Sequence, residues 1–378
     1  MKDNYELIFF TSNPYPEGLA STNRIKSYAK ELAKKKSVLL LTFSPSISPS
    51  YFRFTSGIDE NVRYKYLRPS DPKHKTFISK VAYRIITYLN IVYGFLFKYK
   101  TKCVLCYIHD IKYIKLLYLI SKIKGFKIYN DITETYETYF GNEKSRFQHI
   151  QSVRYFDGLI VMTEGIKKYF SNHNRNIFVL PMCVDIDRFS RIDGKIRPYF
   201  FYCSGGVFER DGLLDALNGF ILFSQKHSGY VFKIAGPINL NDSYHKKVKE
   251  IIDSSSDIEY LGEIKSSNIP RLMANSMGLL ITPHHDYITK GFPTKIGEYL
   301  ASGRPVICSN IPSLTEVLSE EFVYMVNSNS PKEISEALET IISSPEQASL
   351  VGKRGRYFAC EKLSVKPYLN DLQAFLAI

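Results

Sequence analysis

The sequence predicts an α/β protein built as two doubly wound domains facing across a cleft, and three observations lead there. At 378 residues and 43.5 kDa the chain is longer than one hydrophobic core usually serves, so two domains of roughly 150–200 residues are expected. In both halves, short apolar runs are followed by a polar rim and then by a helical period, as in strands and helices wound around parallel sheets. Between the halves, residues 182–198 are turn-like and poor in apolar side chains, which reads as a linker.

In the first half, residues 5–10 form an apolar strand and residues 11–18 a turn-rich loop ending at Gly18. A helix begins at Ser21 and Thr22, buries Ile25, Ala29 and Leu32 on one face, and ends in three lysines, 34–36, where positive charge suits a helix C-terminus. A strand at 38–43 completes a βαβ start. The loop has no G-x-G-x-x-G, so a nicotinamide or flavin cofactor has little support; Gly18 and Arg24 remain near the expected cleft. Residues 44–76 show no usable period. Residues 77–100 are apolar, aromatic and basic, too short and too broken at Asn90 to span a bilayer. Two readings stay open there: a helix lying on a membrane surface, or one packed on the sheet with a basic outer edge.

A buried strand at 103–108 ends in His109 and Asp110, at the strand end where open α/β sheets bind ligands, so His109 is a candidate for holding a substrate hydroxyl. The strand at 126–129 also ends in a polar rim, where Asp131 is a candidate contact for a second substrate. Strands at 156–162 and 177–181 close the first domain, 1–181.

The second domain, 199–360, opens with a strand at 200–203 followed directly by Ser204, Gly205 and Gly206, a backbone able to turn its amides toward a phosphate. Arg210, beside Gly212 and a helix start, is the best candidate for neutralising a diphosphate. Further strand–rim–helix repeats lead to the stretch 291–307, GFPTKIGEYLASGRPVI, which reads as a loop, a short helix carrying Lys295, Glu298 and Tyr299, a Gly303 cap and a strand. A helix start there is an anion site. A carboxylate one turn inside it repels phosphate, so Glu298 is expected to accept hydrogen bonds from hydroxyls such as those of a ribose.

Charge is uneven. Residues 1–180 hold 29 Lys and Arg against 14 Asp and Glu, and the remainder hold 21 against 23, so the +13 net charge belongs to the first half. That half faces either nucleic acid or an anionic membrane surface. Six cysteines, mostly in apolar text, read as reduced core residues of a cytoplasmic protein, and Cys103 and Cys106 have no second pair at metal-ligand spacing. The N-terminus shows no secretory pattern.

From Tyr202 to Val317 most strongly, and over most of its length, the chain resembles glycosyltransferase family 4, of the two-Rossmann-domain GT-B type. Ser204, Gly205, Gly206 and Arg210 match the family's diphosphate loop, and Glu298 matches its ribose-binding acid. The family's other acid, eight positions earlier, falls on Lys290; in the subset with a Pro-Thr-Lys sequence, Lys295 looks like a diphosphate contact. Gly18 and His109 match, more loosely, positions near the donor sugar. The resemblance implies transfer of a sugar from a UDP- or GDP-sugar to a glycan or lipid-linked acceptor in cell-surface polysaccharide synthesis, with retention, and with neither cofactor nor metal. It makes 1–181 the acceptor-side domain and sends a C-terminal helix, 361–378, back to pack on it. His109, Arg210 and Lys295 are then the catalytic candidates, and Gly18, Ser204, Gly205, Gly206, Arg210, Lys295 and Glu298 the donor-binding ones. The implied location is cytoplasmic, peripheral to the inner membrane face if residues 77–100 touch lipid. A sugar-nucleotide epimerase or phosphorylase of the same shape is the nearest alternative. A nucleic-acid binder rests only on the basic half, which lacks a recognition module.

Overall fold

The computed structural model describes residues 3–18, 20–43, 55–67, 77–135, 142–190, 192, 195–205, 209–284 and 293–378. Gly206, Lys290 and Gly291 lie outside them. The chain divides into two units, Met1–Cys183 with Val365–Ile378, and Val184–Ser364.

In the first unit the strands are β1 (Asp3–Thr11), β2 (Val38–Thr42), β3 (Ser56–Asp59), β4 (Val62–Tyr66), β5 (Tyr99–Tyr107), β6 (Lys127–Ile132), β7 (Gly158–Val161) and β8 (Ile177–Val179), ordered β3-β4-β2-β1-β5-β6-β7-β8. All neighbours are parallel except β3 and β4. The chain reverses winding direction between β1 and β5, so the loops leaving those two strands flank the switch point where such sheets take ligands. Helix α1 (Ala20–Ala33) covers one face and packs Ile25, Tyr28 and Leu32 with Leu7, Phe9, Cys103 and Leu105. The other face takes α2 (Phe77–Tyr93) and α3 (Ile111–Lys124), which meet through stacked Tyr88 and Tyr113. The C-terminal helix Leu369–Leu376 buries Leu372 and Leu376 in the α1-side core.

Two readings of this half change. The β3–β4 hairpin falls in text that shows no period. Asp131 does not reach a second substrate at the rim: it is fully buried, with Arg24 Nε 2.8 Å and Nη2 3.0 Å from its two oxygens and the Tyr28 hydroxyl donating at 2.7 Å. Arg24, likewise, is 4% exposed. Its remaining donors reach the carbonyls of Leu180 and Pro181, so the pair fixes the chain just after β8.

The second unit carries β9 (Tyr199–Cys203), β10 (Val231–Ala235), β11 (Ile258–Gly262), β12 (Gly278–Ile281), β13 (Val306–Ser309) and β14 (Tyr324–Val326), all parallel, ordered β11-β10-β9-β12-β13-β14. This is the doubly wound order with its switch point between β9 and β12. Both strands are buried along their whole length, as strands covered by helices on both faces must be. The two α/β sheets predicted from the sequence are therefore present.

Candidate active site

The second unit's site grows from the end of β9. The helix Lys295–Ala301 is tied to that strand by Tyr299, which is fully buried: its hydroxyl accepts from the Cys203 amide at 2.8 Å and donates to the Cys203 carbonyl at 3.3 Å. Gly303, at φ +75°, ends the helix in the left-handed conformation expected of it. So fixed, the helix holds Lys295 and Glu298, three residues apart on one face, beside the end of β9.

Each oxygen of Glu298 meets a cation. Lys295 Nζ is 2.9 Å from Oε2, and Arg188 Nη1 is 2.5 Å from Oε1. Arg188 is itself held by the Ser266 carbonyl at 2.8 Å and the Ser266 hydroxyl at 3.2 Å. Burial alone would raise the Glu298 pKa, but Lys295 first and then Arg188 overcome it and hold the carboxyl at about 2. Glu298 in turn keeps the half-buried Lys295 charged by raising its pKa against desolvation. The cluster thus carries two positive charges and one negative, and a carboxylate with two lone pairs per oxygen can still accept from ligand hydroxyls. Arg188 sits in the short 3-10 helix Ile186–Phe189, inside the stretch that reads as linker. Nothing in its local sequence marks it; an Arg five residues past the unit boundary at Cys183 needs the fold to find its partner 110 residues away.

The loops leaving β9 and β12 are stitched together beside this cluster. The Ser204 hydroxyl donates to Asp211 at 3.2 Å, the His284 amide to the Arg210 carbonyl at 2.9 Å, and the Thr282 hydroxyl to the Gly212 carbonyl at 3.0 Å. His284 Nε2 also pairs with Asp215 at 2.9 Å. Gly212 has φ +70°, and a Cβ there would fall 1.7 Å from the Thr282 carbonyl oxygen, so only glycine allows this approach. Gly205 differs: among the described residues a Cβ added to it meets nothing within 4 Å. Ser204, Gly205, Arg210, Lys295 and Glu298 are therefore grouped at one switch point, with Arg210 exposed.

His109 and Gly18 lie instead at the switch point of the first sheet, on the loops after β5 and β1. His109 is half-buried, and burial, then the neighbouring His149, lowers its pKa to about 4, so the imidazole is neutral at pH 7. Asp110 beside it caps α3, accepting from the Lys112 amide at 2.9 Å. Gly18 packs within its own chain: a Cβ would stand 2.1 Å from the Thr22 hydroxyl, which itself donates to the Pro14 carbonyl at 2.7 Å.

Residues 186–358 match the family model of glycosyl transferases group 1. Over the whole chain the fold is similar to that of Alr3699/HepE of Anabaena in complex with UDP-glucose, at 12% identity, TM-score 0.72 and 99% of each chain covered. It is similar also to sucrose-phosphate synthase from Thermosynechococcus elongatus, at 13% identity, TM-score 0.71 and coverage of 99% of this chain and 100% of that one. A glycosyltransferase from Rickettsia africae gives 16% identity, TM-score 0.65 and coverage of 98% and 97%. Among curated proteins none matches the chain by sequence.

These findings define a chain with the two-Rossmann-domain, GT-B fold, whose second unit carries the match to glycosyl transferases group 1.

Proposed function

We propose that the second unit binds a UDP- or GDP-sugar with its ribose on Glu298 and its diphosphate on Arg210, Lys295 and the amides of Gly205 and Gly206, and that the sugar passes with retention to a glycan or lipid-linked acceptor in polysaccharide synthesis. The observation that carries this reading is the Glu298 carboxylate, kept ionised by Lys295 and Arg188 beside the backbone of Gly205. A carboxylate so held offers fixed acceptors to a ribose diol, and its cations exceed it by one charge, which suits a diphosphate. The UDP and UDP-glucose named with the similar Anabaena protein agree with that donor class.

As the glycosidic bond breaks, negative charge grows on the departing diphosphate while the sugar gains oxocarbenium character. Donors already in place at the diphosphate stabilise that charge more than they stabilise the intact donor. Among the described residues no three His, Cys, Asp or Glu side chains converge as a metal site, and we assign the neutralisation to Arg210 and Lys295. His109, neutral at pH 7, is assigned a hydrogen bond to a hydroxyl of the donor sugar, and Gly18 the shape of the neighbouring loop. The free cysteines, five of them buried, suit a reducing compartment, and we place the enzyme in the cytoplasm.

A panel of UDP-, GDP- and ADP-sugars tests the donor by thermal unfolding. The true donor at a hundred times its Kd stabilises the protein by roughly 2.7 kcal/mol; no shift with any sugar or free nucleoside diphosphate would remove the assignment. Gly205→Ala is expected to leave the melting temperature of the free protein in place, since the new methyl meets none of the described residues within 4 Å, and to reduce the shift given by the donor. Loss of folded protein in that variant would show Gly205 to be structural. The anomer formed, read by NMR, checks retention.

A further inference from the structure

Helix α2 has its apolar side facing out. Ile78, Ile85, Leu89, Tyr93 and Phe97 follow one another at helical spacing along α2 and the turn after it, each between 54% and 78% exposed. The inward side makes do with Thr87, Ile91, Gly94 and Phe95. A soluble surface helix shows the reverse arrangement. The stripe runs about 28 Å at 1.5 Å per residue. Leu119 and Ile123 on α3, exposed by 61% and 73%, extend the apolar surface to the second helix of the same layer. The two helices are joined by stacked Tyr88 and Tyr113 and by Lys124, whose ammonium donates to the Leu96 carbonyl at 3.2 Å.

The charges beside this surface are mostly positive. Residues 77–130 hold ten Lys and Arg and a single acid, Asp110, which is occupied as the cap of α3. Arg84 on α2, and Lys112, Lys115 and Lys122 on α3, are exposed around the apolar side chains. Among the described residues no helix is long and apolar enough to cross a membrane. An exposed apolar stripe ending in Tyr93 and Phe97, flanked by many cations and by few acids, is the composition of a helix that lies in a lipid interface. A second copy of the chain is a poor occupant, because pairing this face with itself would set many cations against one another with few acids to offset them.

We propose that the face formed by α2 and α3 docks the first unit onto an anionic lipid surface, with the α2 stripe entering the headgroup boundary and Arg84, Lys112, Lys115 and Lys122 reaching the lipid phosphates. This surface uses none of the donor-site residues, and its test needs no turnover, so it can fail while the glycosyltransferase reading holds, and the reverse.

Cosedimentation of the full chain with vesicles of phosphatidylcholine alone, or mixed with phosphatidylglycerol, is the experiment. The protein is expected to bind the mixed vesicles, to bind neutral ones at least tenfold more weakly, and to be released by salt. Each of Arg84→Gln, Lys115→Gln and Lys122→Gln should weaken binding about fivefold. The triple variant Ile85→Ser, Leu89→Ser, Phe97→Ser should lose at least about tenfold with its melting temperature and donor-induced thermal shift unchanged. Equal binding to neutral and anionic vesicles, or no loss in the triple variant, overturns the proposal. So does a dimer in sedimentation velocity that the triple variant dissociates, which would make the face an interface between copies, or salt-sensitive binding to duplex DNA in preference to vesicles.

Discussion

Asp131→Ala is expected to destabilise the first unit by about 3–5 kcal/mol, because it leaves the Arg24 guanidinium buried without its counter-ion. Asp131 is fully buried and Arg24 nearly so, and three donors converge on the carboxylate from α1, two from Arg24 and one from Tyr28. Such a loss is a large share of the roughly 5–15 kcal/mol that holds a domain together. It should appear as an early transition in a denaturant titration, distinct from the unfolding of the second unit. Arg24→Met combined with Asp131→Leu should recover most of it, since a buried ion pair replaced by apolar groups of similar size often costs little. If Asp131→Ala unfolds with the wild type, the pair does not bear on stability. If the double variant is no better than the single one, the cost lies in lost hydrogen bonds to Leu180 and Pro181 and not in the uncompensated charge.

What the sequence disclosed and what it hid divide along one physical line. Strands of a parallel sheet covered on both sides are continuous apolar runs, so β1, β2, β5 and β9 could be seen directly, and each rim residue followed from its strand. The β3–β4 hairpin was hidden because it is short and half-exposed and because its turn, Glu60–Asn61 with both φ values positive, lacks the glycine that usually marks such a turn. Lys295 and Glu298 could be seen as a pair because both lie on one short helix. The partners of Glu298 and of Arg24 are another matter: Arg188 is 110 residues from the first, and Asp131 is 107 from the second. Charged residues near a boundary or a rim read as exposed, and only the closed fold shows that the Arg24 pair is core and that Arg188 belongs to the site. Tyr299 was visible as a helical residue, but its role as the tie between that helix and Cys203 was not, because both of its hydrogen bonds cross from helix to strand.

Lys295→Ala is expected to lower kcat by about 10²–10³-fold if its ammonium meets the leaving diphosphate, the loss found when one preorganised donor is removed from a transition state. The variant also removes one of the two cations on Glu298, so structure and chemistry must be separated. Arg188 remains 2.5 Å from Oε1 and continues to hold the carboxylate, and Lys295→Arg keeps a charge at the position. A diphosphate contact predicts a large fall in kcat for Lys295→Ala, with a smaller change in donor KM and partial rescue in Lys295→Arg. A purely structural lysine predicts a lower melting temperature with unchanged turnover, and that result would move the diphosphate to Arg210 alone. Glu298→Gln gives the complementary readout. Because folding lowers the Glu298 pKa from 4.5 to about 2, the carboxylate contributes stability that is fully present above the unfolded pKa and fades as pH falls from about 5 toward 2. A shift of that size corresponds to roughly 3 kcal/mol at most, less in a coupled and partly solvated cluster. Glu298→Gln should flatten this acid limb of the stability profile and, at pH 7, raise the donor's KM by weakening the acceptors offered to the ribose. An unchanged KM would take Glu298 out of donor binding and leave it as the counter-ion that keeps Lys295 and Arg188 in place.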